Sequence, residues 1–195
     1  MKNGDTEKCP PWHRPPEFWW QTPKNLKIQV PYTSRSFCIV RDPYSRLISQ
    51  FNEEKRNALL SLIHSGKKTN GMSKCVGIKE IKEKTINKLV KKRRKSLADC
   101  HYLSQSEYVY DISGCRVCDD ILMFEELTDH LKSLFRRYGI DYHDRDFAHL
   151  VHPAKCEDLN YQDLPPMTLQ IINDRYKYDF INFGYEMIIP NISKQ

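Results

Sequence analysis

The chain has 195 residues, a length that fits one domain. Its 29% charged and 39% apolar residues suit an α/β protein with a modest core, and no apolar stretch approaches the ~20 residues that span a bilayer. The net charge of +6 is unevenly spread: residues 79–95 hold nine Lys or Arg against two Glu, a balance of +7, which leaves the remainder near neutral at −1.

In chain order, residues 1–35 are rich in Pro, Trp and polar residues and predict an irregular N-terminal segment, with a short strand near Lys27–Val30. The apolar run Phe37 to Val40 predicts a buried strand over 36–40. Asp42 and Pro43 follow as an N-cap and first helical position, with Leu47, Ile48 and Phe51 at helical spacing, so a helix is expected from about Asp42 to Ile63. Residues 64–78 hold three of the seven glycines and read as a loop. Residues 79–97 predict a basic helix, with Ile78, Ile81, Ile86, Leu89 and Val90 as its apolar positions. Strands are expected at Tyr108–Asp111 and Ile121–Phe124, separated by a turn at Gly114. A helix from Thr128 to Tyr138 ends at Gly139, a residue suited to the left-handed stop. Residues 141–166 read as irregular, and Pro165–Pro166 precede a last helix over about Met167–Tyr178. The alternation of strands and helices predicts an α/β layered fold with a parallel sheet and a single domain over 1–195.

The strand-to-helix junction at Arg41 is the most informative stretch. A helix N-terminus favours an anion through its free N–H groups and its dipole. A guanidinium beside it adds a planar fork for phosphate oxygens. Ser49 lies two turns into the helix, on the face of Ser45 and Arg46, so Arg41 and Ser49 are expected to converge on one phosphate. Arg46 either assists or pairs with a carboxylate such as Glu53. The plain alternative is an exposed Arg at a strand end and a Ser on a solvated helix face.

The pattern Arg41-Asp42-Pro43-x-x-Arg46-Leu47-x-Ser49 after an apolar strand resembles the 3′-phosphate-binding motif of sulfotransferases that use 3′-phosphoadenosine 5′-phosphosulfate. Three further segments resemble the same family in the same order. These are Cys100-His101-x-x-x-Gln105, Phe124-Glu125-x-Leu127, and Tyr176-x-x-Asp179-Phe180 with Phe183-Gly184-Tyr185. Upstream, Trp12-His13-Arg14-Pro15-Pro16 resembles a His-containing loop of some members. The nearest kinds would be the Golgi-type carbohydrate sulfotransferases and their algal or protist cousins. The resemblance implies a P-loop-NTPase-like sulfotransferase fold with a central parallel sheet flanked by helices. It also implies transfer of a sulfuryl group to a carbohydrate hydroxyl, without a metal. Arg41, Ser49 and Arg46 would hold the donor, and Gln105 and Ser106 would meet nucleotide or acceptor. His13 or His101 would take the acceptor proton, since imidazole titrates near neutrality. A Golgi location is implied if a longer parent carries a membrane anchor.

One departure is that the family's Pro-Lys-x-Gly/Ala-x-Thr/Ser loop, which cradles the 5′-phosphosulfate, has no counterpart ahead of Arg41. Gly66-Lys67-Lys68-Thr69 is no substitute: Ser61 stands where the first Gly of a phosphate loop belongs, and a helix precedes it. The expectation is an N-terminally truncated enzyme or, alternatively, a non-catalytic nucleotide- or glycan-binding module of the same fold.

The basic helix has three readings. It is a solvated face, an attractor of an acidic polysaccharide or glycoprotein glycan through Lys91, Arg93 and Arg94, or a nucleic-acid surface. The last ranks lowest, since no aromatics are interleaved through it. His64, His130, His143, His149 and His152 stand in no motif. Of seven cysteines, Cys38 is expected to be a small core residue, and Cys115-x-x-Cys118 lacks the second pair that zinc needs. Disulfides suit a secretory lumen, with no pairing deducible. The aromatics of Tyr176–Tyr185 read as a packing cap for the C-terminus.

Overall fold

A polar-to-apolar switch at Asp42 starts the central helix. The computed structural model describes residues 35–69, 71–73, 75–91, 100–110, 114–141, 143 and 161–190. Strand β1 (Phe37–Val40) runs into helix α1 (Pro43–His64), and the Asp42 side chain accepts the Ser45 N–H at 2.8 Å as N-cap. Pro43 at the first position gives up a donor the helix would not use. Helix α2 (Ile78–Thr85) continues as a π-helical stretch (Ile86–Lys91). A one-turn 3-10 helix (Cys100–Tyr102) and the short helix α3 (Ser106–Val109) follow. Strand β2 (Asp120–Met123) leads through a 3-10 turn (Phe124–Glu126) into α4 (Leu127–Arg137). A 3-10 turn (Tyr161–Asp163), α5 (Pro166–Arg175) and α6 (Lys177–Phe183) complete the described chain. Gly139 and Gly184 stop α4 and α6 at φ 65° and 71°, where a Cβ would be strained.

Among the described residues the sheet has two strands, β1 and β2, paired in parallel with Val40 opposite Met123. The mixed α/β class and the parallel pairing agree with the sequence. Three local expectations do not. Tyr108–Asp111 was expected as a strand; Ser106–Val109 is helical and only Tyr110 bridges, antiparallel to Arg116. The last helix is two, broken at Tyr176, because Asp179 turns inward to a partner described below. β1 is half-buried rather than buried: Phe37 and Ile39 are each 46% exposed while Val40 is 1%. The expected strand near Lys27–Val30 and the end of the basic helix at 92–97 lie outside the described residues. Among the described residues no helix is long and apolar enough to cross a membrane.

The largest core cluster joins Tyr44, Leu47, Ile48 and Phe51 of α1 to Ile81 of α2 and to Ile172, Tyr176 and Phe180 of α5–α6. Tyr176 is fully enclosed and its hydroxyl is pushed up to about 12 by burial. The expected aromatic packing cap holds for Tyr176, Phe180 and Phe183. A second cluster around Val40, Val109 and Phe183 contains a Cys38–Cys118 disulfide, so Cys38 is a cross-link and not a reduced core thiol. That bond also removes Cys118 from any Cys-x-x-Cys site.

Lys84 of α2 and Lys88 of the π-helical stretch lie against α1. Lys84 and Lys88 meet Glu54 at 2.9 and 2.8 Å, and the Tyr102 hydroxyl donates to the same carboxylate. Lys84 also sits 5.4 Å from the Phe51 ring centroid and Lys88 5.2 Å from that of Tyr102. Lys55 pairs with Glu80 at 2.7 Å. Part of the basic run is therefore spent on holding α2 to α1.

Two outcomes follow from these contacts. Burial alone would raise the Glu54 carboxyl, but the hydrogen bonds from Lys88, Tyr102 and Lys84 outweigh it and hold the group below its ordinary 4.5. Its contribution is complete above about pH 4.5 and is lost as pH falls through the depressed folded value. Urea midpoints between pH 3 and 7 should therefore drop on the acid side in the wild type and drop less in Glu54→Gln. The Cys38–Cys118 bridge closes 80 residues. Replacing both cysteines by Ala should cost about 4 kcal/mol in non-reducing urea unfolding, because the unfolded chain regains the entropy of that loop.

Candidate functional site

β1 ends at Val40, and Arg41 leaves the sheet with no ladder partner. A peptide in that position needs both its groups satisfied. One side chain does this: Gln105 Nε2 donates to the Arg41 carbonyl at 2.8 Å, and the Arg41 N–H donates to Gln105 Oε1 at 2.9 Å. Gln105 is 8% exposed, so both ends of its amide are used on Arg41. Its own main chain is held in turn by Asp179. Asp179 Oδ2 accepts the Gln105 N–H at 2.8 Å, and Oδ1 accepts the Ser106 N–H at 2.8 Å and the Ser104 hydroxyl. A buried carboxylate from α6 thus caps α3 from a distance of 73 residues in sequence.

The Arg41 guanidinium lies 4.5 Å from the Phe124 ring centroid. Among the described residues it makes no ion pair and no hydrogen bond. Around it stand two carboxylates and a phenol. The Asp42 N–H donates to Glu125 Oε1 at 2.8 Å, and the Tyr185 hydroxyl donates to Glu125 Oε2 at 2.9 Å. Burial pushes the Asp42 carboxyl up, the Ser45 cap and Arg41 oppose this, and Glu125 adds to it. Burial and then the Glu125 carboxylate push the Tyr185 hydroxyl up, which keeps it a donor.

These contacts change the expected phosphate cradle. At the α1 N-terminus two N–H groups are already engaged: Asp42 takes the Ser45 N–H and Glu125 takes the Asp42 N–H. The positive element at the junction is the Arg41 side chain itself. Ser49 is half-buried on α1, and its hydroxyl has no hydrogen bond among the described residues. Arg46 neither reaches Glu53, which pairs with Arg56, nor stays open. It donates to the Leu103 carbonyl at 2.8 Å and the His101 carbonyl at 3.2 Å, tying α1 to the 101–103 turn.

His101 sits in that turn with a half-buried side chain. The Ser106 hydroxyl accepts from Asn182 Nδ2 at 3.2 Å, and Gln105 faces Arg41 as described. The structure thus brings Arg41, Gln105, Ser106 and, through Arg46, His101 into one linked region. His13, Arg93 and Arg94 lie outside the described residues, as do His149 and His152, and Lys91 is described only in its backbone. Sequence reasoning assigned no role to Phe124, Glu125 or Asp179. The signal was present, because all three belong to the quoted Phe-Glu-x-Leu and Tyr-x-x-Asp-Phe segments, but a fingerprint residue gives no partner without the fold.

Comparison with curated proteins gave no match, and neither did comparison with solved structures. The profile described as "Sulfotransferase family" matches residues 11–186, a span that includes Arg41, Gln105, Phe124, Asp179 and Tyr185 together with almost every described element, and on that match the chain belongs to the sulfotransferase family.

Proposed function

We propose that this chain is the nucleotide-binding and acceptor-binding part of a sulfotransferase that uses 3′-phosphoadenosine 5′-phosphosulfate as donor and a carbohydrate hydroxyl as acceptor. Family membership supports sulfuryl transfer in general. The observation that carries the finer reading is Arg41: its peptide is pinned by Gln105 while its guanidinium makes no salt bridge or hydrogen bond among the described residues. A half-buried cation with its peptide fixed, two helical turns ahead of Ser49 in the sequence, suits a bound phosphate dianion. The donor's chemistry is a labile S–O bond to its 5′-phosphate. As the acceptor oxygen bonds sulfur, that bond breaks and the electron pair leaves with 3′-phosphoadenosine 5′-phosphate.

In this reading Arg41 and Ser49 hold the 3′-phosphate, and Phe124 supports the guanidinium from below. Ser106 lies on the wall that faces the nucleotide or acceptor, while Gln105 holds the Arg41 peptide and Arg46 holds the 101–103 turn behind it. The acceptor proton passes to the imidazole of His13 or of His101. Most of the acceleration comes from alignment and charge stabilisation, as in other transfers of this kind. The loop that would cradle the 5′-phosphosulfate has no counterpart ahead of Arg41, so the reading takes the chain to be part of a longer, P-loop-NTPase-like enzyme of the Golgi carbohydrate type. Lys91, Arg93 and Arg94 are candidates to draw in an acidic glycan, whereas Lys84 and Lys88 of the same basic run are engaged by Glu54. The two carboxylates at the α1 N-terminus favour a second reading, a binding module of the same fold that retains the Arg41 clamp without turnover.

Calorimetric titration tests the clamp. The wild-type chain should bind 3′-phosphoadenosine 5′-phosphate more tightly than adenosine 5′-phosphate. Arg41→Ala should weaken the former by about ten- to a hundredfold, the usual loss of a charged hydrogen-bond donor. Ser49→Ala should cost less, about three- to tenfold. Equal affinity of the wild type for both nucleotides would contradict the reading.

A further inference from the structure

We propose that Gln105 is a positioning residue for 3′-phosphate specificity, acting through the main chain of Arg41 and held in place by Asp179. This rests on the reading of Arg41 as a phosphate clamp and goes beyond it. The assigned determinant is a buried neutral amide that the motif resemblance places only somewhere near nucleotide or acceptor.

The argument starts from what an arginine needs in order to discriminate. Its side chain has four torsions, so the direction of the guanidinium follows the frame of its own peptide. At Arg41 that frame lies one residue past the last paired position of β1, where the ladder with β2 no longer restrains it. Two contacts replace the ladder. The Gln105 amide takes both the N–H and the carbonyl of Arg41, and the Phe124 ring supports the charged end at 4.5 Å. Gln105 is no freer than the residue it holds. Its N–H is fixed by Asp179, which is 0% exposed and sits beside Phe180 and Phe183, both anchored in the core. The chain of contacts therefore runs from the core through a carboxylate and an amide to the guanidinium. Bidentate recognition loses much of its strength on a displacement of about 1 Å. An amide whose two ends are both bonded to the Arg41 peptide thus decides how well the phosphate is distinguished.

The position of the partners narrows the role. Tyr185, Glu125 and Asp42 are bonded to one another and not to Gln105. Arg46 holds the carbonyls of His101 and Leu103, just ahead of Gln105. Loss of the Gln105 amide would leave the turn bound to Asp179 and Arg46 while freeing only the Arg41 peptide. A specific effect on the 3′-phosphate, and not on the nucleotide as a whole, is the consequence.

The test is a double-mutant cycle read with two ligands, 3′-phosphoadenosine 5′-phosphate and adenosine 5′-phosphate, by calorimetric titration. Gln105→Ala should weaken the first by about five- to thirtyfold and leave the second within about twofold. In the Arg41→Ala background the same change should have no further effect on either. If Gln105→Ala does not fold, as judged by circular dichroism and a thermal scan, Gln105→Asn replaces it, being neutral and polar but too short to span both bonds. Asp179→Asn should reproduce the selective loss in weaker form. An equal loss for both ligands, or an added loss in the Arg41→Ala background, would overturn the role while leaving Arg41 as the clamp. Retention of the preference in Arg41→Ala alone would overturn the clamp, and the role of Gln105 with it.

Discussion

A carboxylate shut away from water must find donors, and Asp179 finds three on one short turn. That requirement organises the region around Arg41. It draws α6 against residues 104–106, breaks the C-terminal helix at Tyr176, and fixes the orientation in which Gln105 presents its amide. The amide then supplies what the sheet does not, a partner for the peptide just past β1. From the C-terminal helix to the end of the first strand, each polar group is spent on placing the next.

Helix α1 stands at the centre because its two flanks do different work. Its apolar face enters the main core through Tyr44, Leu47, Ile48 and Phe51. Arg46 on one flank binds carbonyls of the 101–103 turn, and Glu54 further along gathers Lys84, Lys88 and Tyr102. Tyr44 reaches the C-terminal end as well: its hydroxyl donates to Asn173 and accepts the Ile188 N–H at 3.0 Å. Lys84, Lys88 and Arg46, which look like parts of a binding surface in the sequence, thus serve as internal fastenings. The guanidinium of Arg41 differs from them in being held against the Phe124 ring with no salt bridge or hydrogen bond among the described residues.

Much of this was legible in the sequence, and the limits are physical. Asp42-Pro43 gave the start of α1 because capping is local chemistry, and Gly139 gave the stop of α4 for the same reason. The apolar runs located β1 and β2, yet not their exposure, since burial depends on what lies over a strand. Tyr108 and Val109 are strand-forming residues but belong to the helical turn Ser106–Val109, because Asp179 caps its start through tertiary contact, and only Tyr110 bridges. The Cys38–Cys118 bridge joins residues far apart in sequence and could not be deduced from spacing. At the site, the motif pointed to Arg41 and Ser49. It could not show that Asp42 and Glu125 engage two N–H groups at the helix end, or that Arg46 is committed to carbonyls. Residue types announce what a group can bind; only the fold shows what it has already bound.

The most direct test of the central claim is a crystal structure of the chain with 3′-phosphoadenosine 5′-phosphate. The account predicts the 3′-phosphate within hydrogen-bond distance of the Arg41 guanidinium and the Ser49 hydroxyl, with the Gln105 amide still bonded to both groups of the Arg41 peptide. A phosphate seated away from Arg41, or an Arg41 peptide released from Gln105 in the complex, would contradict it.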